Sequence, residues 1–161
     1  MTKKTKEAPA GAASDPGVHV WLVLMKAHRS LARHAHLSLG SFDLGLSDFA
    51  VLELLHHKGP QNVNEIGRRV ELTSGSITTA IDRLEALELV VRCAHPTDRR
   101  SRIVRLTPKG SARIEEVFAV HAAQMNHAAE GLTAEELGTL TGLLKKLGMD
   151  ADARLPGRAK S

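Results

Sequence analysis

The hydrophobic pattern of this chain changes period at one place, and that change limits what it can fold into. Up to Glu88, apolar residues recur every three or four positions, the spacing of a buried helical stripe. Leu89-Val90-Val91-Arg92-Cys93 then reads as a strand, and Arg102-Ile103-Val104-Arg105-Leu106 as a second one in which apolar and basic residues alternate. Between them, Ala94-His95-Pro96-Thr97-Asp98-Arg99-Arg100-Ser101 forms a hairpin loop rich in arginine. Helical spacing returns at Thr107-Pro108. The reading is a mainly α chain with one small β-hairpin.

The helices can be placed by their stop and start signals. A first helix is expected over 18–39, with Trp21, Leu24, Met25, His28, Leu31, Ala32 and Ala35 on one stripe. Ser47 is expected to cap a second, whose inner face is Phe49, Val51, Leu52 and Leu55 and which closes at Lys58-Gly59-Pro60. A short third helix over 63–70, a turn at Glu71-Leu72-Thr73 and a fourth helix over 74–88 make a helix-turn-helix unit. The fourth helix buries Ile77, Ala80, Ile81, Leu84 and Leu87. Pro108 opens a long fifth helix that ends at Gly131, and Thr133 with Glu136 forms a capping box for a sixth. The sixth carries the seam Leu137, Leu140, Leu143, Leu144 and Leu147 and is expected to close at Gly148. The organisation is therefore a flexible tail (1–17), one winged helix-turn-helix domain (18–147) and a second flexible tail (148–161). Within the domain, 46–107 holds the helix-turn-helix and the hairpin, and 18–45 and 108–147 are the flanking helical segments.

Charge placement says more than total charge. The chain carries a net +4, and the segment from Arg92 to Arg105 alone holds five arginines against Asp98, an equal excess. Aromatic residues are 2% of the chain, too few for the stacking platforms of single-strand binders. No apolar run approaches the ~18 residues of a membrane span, and the first residues lack a secretion-signal pattern. Cys93 is the only cysteine, so no intrachain disulfide forms. A cytoplasmic protein is expected.

The outer face of the fourth helix has an unusual chemistry. Ser74, Gly75, Ser76, Thr78, Thr79, Asp82 and Arg83 point away from its apolar stripe. A plain solvent face would carry Glu and Lys in helix-supporting pairs, whereas small hydroxyls sacrifice helix propensity. Small residues let a helix N-terminus approach the floor of a major groove, where hydroxyls meet base edges and the helix dipole favours phosphate. Arg83 is placed to reach the DNA backbone or a guanine edge. An arginine on the following hairpin suits the narrow minor groove, and Asp98 can orient Arg100 by a charge-assisted pair. Arg99 and Arg102 complete the basic set.

The run from Leu72 to Glu85, then Asp98-Arg99-Arg100, then Leu106-Thr107-Pro108-Lys109-Gly110, resembles the MarR family of bacterial regulators. The likeness spans about 18–147 and is most specific over 64–110. The stretch from Leu46 to Pro60, taken with 72–78, is similar to the MhqR-like branch that responds to quinones and catechols. The resemblance implies a homodimer clasped by the helices of 18–45 and 108–147, and a DNA-binding winged helix, 46–107, on each half of a palindrome. It implies Asp98 and Arg100 as the wing pair, and Ser74 to Thr79 with Arg83 as recognition contacts. It also implies a ligand-released repressor with a small aromatic or phenolic effector, for which Trp21, Met25, His28 and His56 are candidate lining residues. Independently, the Leu137–Leu147 seam and the Trp21–Ala35 stripe are more apolar surface than one small subunit can cover.

Other chemistries find less support. The nine histidines include His34/His36, His56/His57 and His121/His127, none at metal-ligand spacing, so neither a metal nor a cofactor is expected. Cys93, near Arg92 and His95, suits a plain strand cysteine better than an oxidant sensor. No phosphate loop, nucleophile elbow or acid pair indicates an enzyme. The alternatives are a redox- or metal-responsive regulator of the same fold using Cys93 or the histidines, and a helical interaction module without DNA affinity.

Overall fold

The computed structural model describes residues 15–70, 72–94 and 101–156. Six helices and three strands follow in the order α1 (Pro16–Gly40), α2 (Leu46–Lys58), β1 (Gln61–Asn62), α3 (Val63–Arg69), α4 (Ser74–Ala86), β2 (Val90–Ala94), β3 (Arg102–Leu106), α5 (Pro108–Ala129) and α6 (Ala134–Ala153).

Local chemistry sets most boundaries. Asp15 caps α1 by accepting the Gly17 N–H, with Pro16 at the first helical position. Thr73, Thr107 and Thr133 cap α4, α5 and α6 in the same way. Gly59 ends α2 at φ 71°, a left-handed conformation that only glycine adopts cheaply.

Helix α1 begins at Pro16, so 16–17 is helical rather than tail, and three larger differences from expectation follow. Helix α2 is capped at Gly45 rather than Ser47, because the Asp48 carboxylate folds back to accept the Gly45 N–H at 3.2 Å. Helix α6 does not close at Gly148 but continues to Ala153, so 148–153 is helical rather than tail. A mid-helix glycine costs only about 1 kcal/mol, and Met149, Ala151, Ala153, Arg154 and Leu155 after it are good helix formers. The two-residue strand β1 was not expected. It extends the hairpin to a three-stranded antiparallel sheet ordered β1-β3-β2, with Val104 opposite both Arg92 and Gln61.

The core lies where α2, α3, α4 and α5 meet the sheet. Val51, Leu52, Ile66, Ile81, Leu84, Val104, Ile114 and Val117 are fully buried there. Gly110 permits the closest approach. A Cβ at that position would stand 1.8 Å from the Leu89 carbonyl oxygen, which instead accepts the Thr107 N–H at 3.0 Å. This contact locks α5 against the turn between α4 and β2. Outside the core, the first half of α1 and all of α6 remain uncovered. Trp21 is 59% exposed, Leu143 is 61% exposed, and Val18, Leu22, Leu140, Leu144 and Leu147 are also exposed. Among the described residues, no helix is long and apolar enough to cross a membrane.

Candidate nucleic-acid interface

Helix α4 divides its residues as the sequence predicts, with one exception. Ile77, Ala80, Ile81 and Leu84 are buried, while Gly75, Ser76, Thr78, Thr79, Asp82 and Arg83 are exposed. Leu87, expected inside, is exposed because it stands at the C-cap, where the helix has already turned away from the core. Helix α4 begins at Ser74, whose side chain lies outside what the structure describes. Thr73 accepts the Ser76 N–H at 3.2 Å, and its hydroxyl lies 2.8 Å from the Ser76 hydroxyl. Thr79 donates to the Gly75 carbonyl at 3.0 Å. A Cβ on Gly75 would meet nothing within 4 Å, so the first turn is open to approach. The face is thus small, polar and unobstructed at the positive end of a helix.

The arginines sort differently from the sequence reading. Arg83 is bound to Asp48 of α2, its Nε 2.9 Å from Oδ2 and its Nη2 2.6 Å from Oδ1. Asp48 is only 2% exposed, whereas the Arg83 side chain is 47% exposed. The hydrogen bonds that Arg83 donates to Asp48, and then the charge of Asp48, raise the Arg83 pKa above its ordinary value. Arg83 therefore anchors the recognition helix to α2 rather than extending freely toward DNA. Sequence gave little warning of this, since Asp48 also suits a helix N-terminus.

Arg92 is a second strut. Its guanidinium bonds Glu85, and Asp82 at 2.5 Å, while its backbone N–H donates to Glu85 at 3.0 Å. Burial alone would lower the Arg92 pKa, but bonds and charges from Asp82 and Glu85 outweigh it and the value is raised. The base of the hairpin is thereby tied to the C-terminal half of α4. On the other edge, Asn62 caps α3 by accepting the Asn64 N–H at 2.9 Å and donates its amide to Ser101 at the start of β3. Asn62, Asp48 and the strut role of Arg92 were all missed in the sequence. The two acids on an otherwise hydroxyl-rich helix were the one available signal for Arg92.

Arg102 is exposed on β3, opposite Ala94. Asp98, Arg99 and Arg100, the expected wing residues, lie outside the described residues. Cys93 is half-buried and receives a hydrogen bond from Arg105 Nε at 3.4 Å.

A cleft of about 430 Å³ lies between α1, the start of α2 and α5. Its walls are mainly apolar, from Leu31 and Ala35 of α1, Leu46 and Phe49 of α2, Leu72, and Met125 of α5, with His28, Ser47 and His121 as polar groups. Of the four residues expected at an effector site, only His28 lines it. Trp21 and Met25 are exposed farther along α1, where the helix has run past the subunit's own core. His56 faces away on α2, its ring 5.0 Å from that of His57.

The comparisons with known proteins follow this geometry. The MarR family model matches residues 44–101, the segment from just before α2 to the residue before β3. The chain is 38% identical over 138 residues to the HTH-type transcriptional regulator MhqR of Bacillus subtilis, covering 86% of this chain and 95% of that one. Among solved structures it is similar to a probable transcriptional regulator from Pseudomonas aeruginosa, with 30% identity, a TM-score of 0.71, and 80% and 96% of the two chains covered. It is also similar to Bordetella bronchiseptica BpsR, whose DNA binding is regulated by 6-hydroxynicotinic acid, with 25% identity, a TM-score of 0.74, and 81% and 98% covered. A hydroxyl-faced α4 strutted to a winged sheet, with relatives this close over most of its length, places the chain in the MarR family of DNA-binding transcriptional regulators.

Proposed function

We propose that the protein is a ligand-released repressor that binds a palindromic operator as a homodimer. The open, hydroxyl-bearing face of α4 carries this reading, because it suits a major groove and serves no purpose in the subunit's own packing. In this reading Ser74, Gly75, Ser76, Thr78 and Thr79 enter the groove, while Asp98, Arg99, Arg100 and Arg102 supply the wing contacts. Arg83 acts from behind by holding α4 in place.

The exposed apolar residues of α1 and α6 support the dimer, since water contact over so much Leu, Val and Trp is unfavourable by about 25 cal/mol per Å². Two-fold symmetry would set the recognition helices roughly one DNA turn apart, near ~34 Å. The cleft between α1, the start of α2 and α5 is the proposed effector site. Its wall includes Ser47, next to the Asp48 that grips Arg83, so an occupant that shifts the start of α2 also shifts α4. By linkage, such a ligand weakens operator binding. Regulation of BpsR by a small hydroxylated aromatic acid supports an aromatic effector here.

Fluorescence anisotropy with DNA flanking the protein's own gene, titrated with salt, tests the proposal. Log affinity should fall linearly with log salt, by about 0.9 per phosphate neutralised. Salt-insensitive binding, or equal affinity for every duplex, would refute it.

A further inference from the structure

The effector cleft holds one histidine whose protonation pattern is fixed by its neighbours. Ser38 is buried near the end of α1 and donates its hydroxyl proton to the Ala35 carbonyl at 2.8 Å. A hydroxyl has one proton to give. Its contact with Nδ1 of His121, at 2.9 Å, must therefore run the other way, with Nδ1–H donating to Ser38 Oγ. In the neutral ring the second nitrogen is then a bare acceptor. Neutrality is favoured by burial, which pushes the His121 pKa below its ordinary value against the opposing pull of Glu53. The Phe49 ring, with its centroid 4.5 Å from that of His121, holds the imidazole in place.

We infer that Nε2 of His121 is the specificity element of the cleft, accepting a hydrogen bond from the O–H of a hydroxylated arene and rejecting arenes that offer only acceptors. This inference rests on the cleft being the effector site. The apolar walls accept the ring of such a ligand. A lone pair aimed at a second lone pair is left unsatisfied, which is how a polar site discriminates between ligands of nearly equal shape. Ser38 is the positioning residue, because it selects the tautomer.

Three probes of similar size separate the possibilities: 4-chlorophenol, 4-chloroanisole and 4-chlorobenzoate. Calorimetry on the full-length protein should give at least about tenfold tighter binding of the phenol than of either other probe, equivalent to roughly 1.4 kcal/mol. His121→Phe should reduce that ratio to near one while the anisole still binds, and Ser38→Ala should reduce it partly. Nitrogen-15 NMR of the imidazole supplies a readout that survives a failed variant. Nε2 should resonate as an unprotonated nitrogen in the free protein and move on adding the phenol. Equal binding of the three probes would keep the cleft as the effector site and overturn the role of His121, as would a protonated Nε2. Binding of none of them would overturn both.

Discussion

Replacing Arg83 separates two accounts of the recognition helix. The sequence places this arginine at the DNA; the structure gives it to Asp48, a carboxylate only 2% exposed. Breaking a fully buried ion pair by removing one partner costs about 3–5 kcal/mol. Arg83 is itself 47% exposed, so water partly reaches the gap, and Asp48 keeps its bond from the Gly45 N–H. The expected loss for Arg83→Met is therefore about 2 kcal/mol, discounted from the buried-pair figure. For a chain of this size that lowers Tm by roughly 4–8 °C. Asp48→Asn, which keeps the shape and loses the charge, should cost less. The double variant should show a coupling of about 1–2 kcal/mol, since the second change removes a partner already stranded. Urea unfolding of all four proteins at one fixed protomer concentration supplies the numbers, because the proposed dimer would make stability concentration-dependent. If Arg83→Met retained full stability and lost only operator affinity, the clamp would be wrong and Arg83 would be a DNA contact.

Two further outcomes follow from the packing and the titrating groups. Gly110→Ala should destabilise by about 2 kcal/mol or more, because its Cβ would overlap the Leu89 carbonyl and force α5 off the α4–β2 turn; thermal unfolding at fixed protein concentration measures it. The depressed pKa of His121 means the unfolded chain takes up that proton first. Its contribution to stability is complete above the ordinary histidine value near ~6.5 and is lost as pH falls below it. Urea midpoints measured between about pH 7.5 and 5 should fall less steeply for His121→Phe than for the native chain.

Much of the fold was legible because its helices carry unambiguous ends and its strands a different period. Strand β3 was placed to the residue by its alternation, and Pro108, Thr133 and Gly59 act as the sequence suggests. What escaped was decided by partners distant in the chain. Gln61-Asn62 has no strand signal of its own and is a strand only because β3 offers an edge. Ser47 and Asp48 are both good N-terminal residues, and which one serves was settled by where Arg83 lands, 35 positions later. Sequence also counts every arginine alike, whereas folding commits Arg83 and Arg92 to internal acids and leaves Arg102 exposed. Of the candidate effector residues, Trp21, Met25 and His28 share a periodic stripe on α1, and periodicity identifies a stripe but not where along it the subunit's own core ends. Trp21 and Met25 fall on the uncovered side of that limit.

Hydroxyl-radical footprinting of the operator complex tests the central claim most directly, with the native protein compared against Thr79→Glu. The account predicts two protected patches centred about one helical turn apart, near ~34 Å, and their disappearance in the variant while its unfolding midpoint stays close to native. A lone patch, or a native footprint with the carboxylate in place, would mean that α4 does not enter the groove.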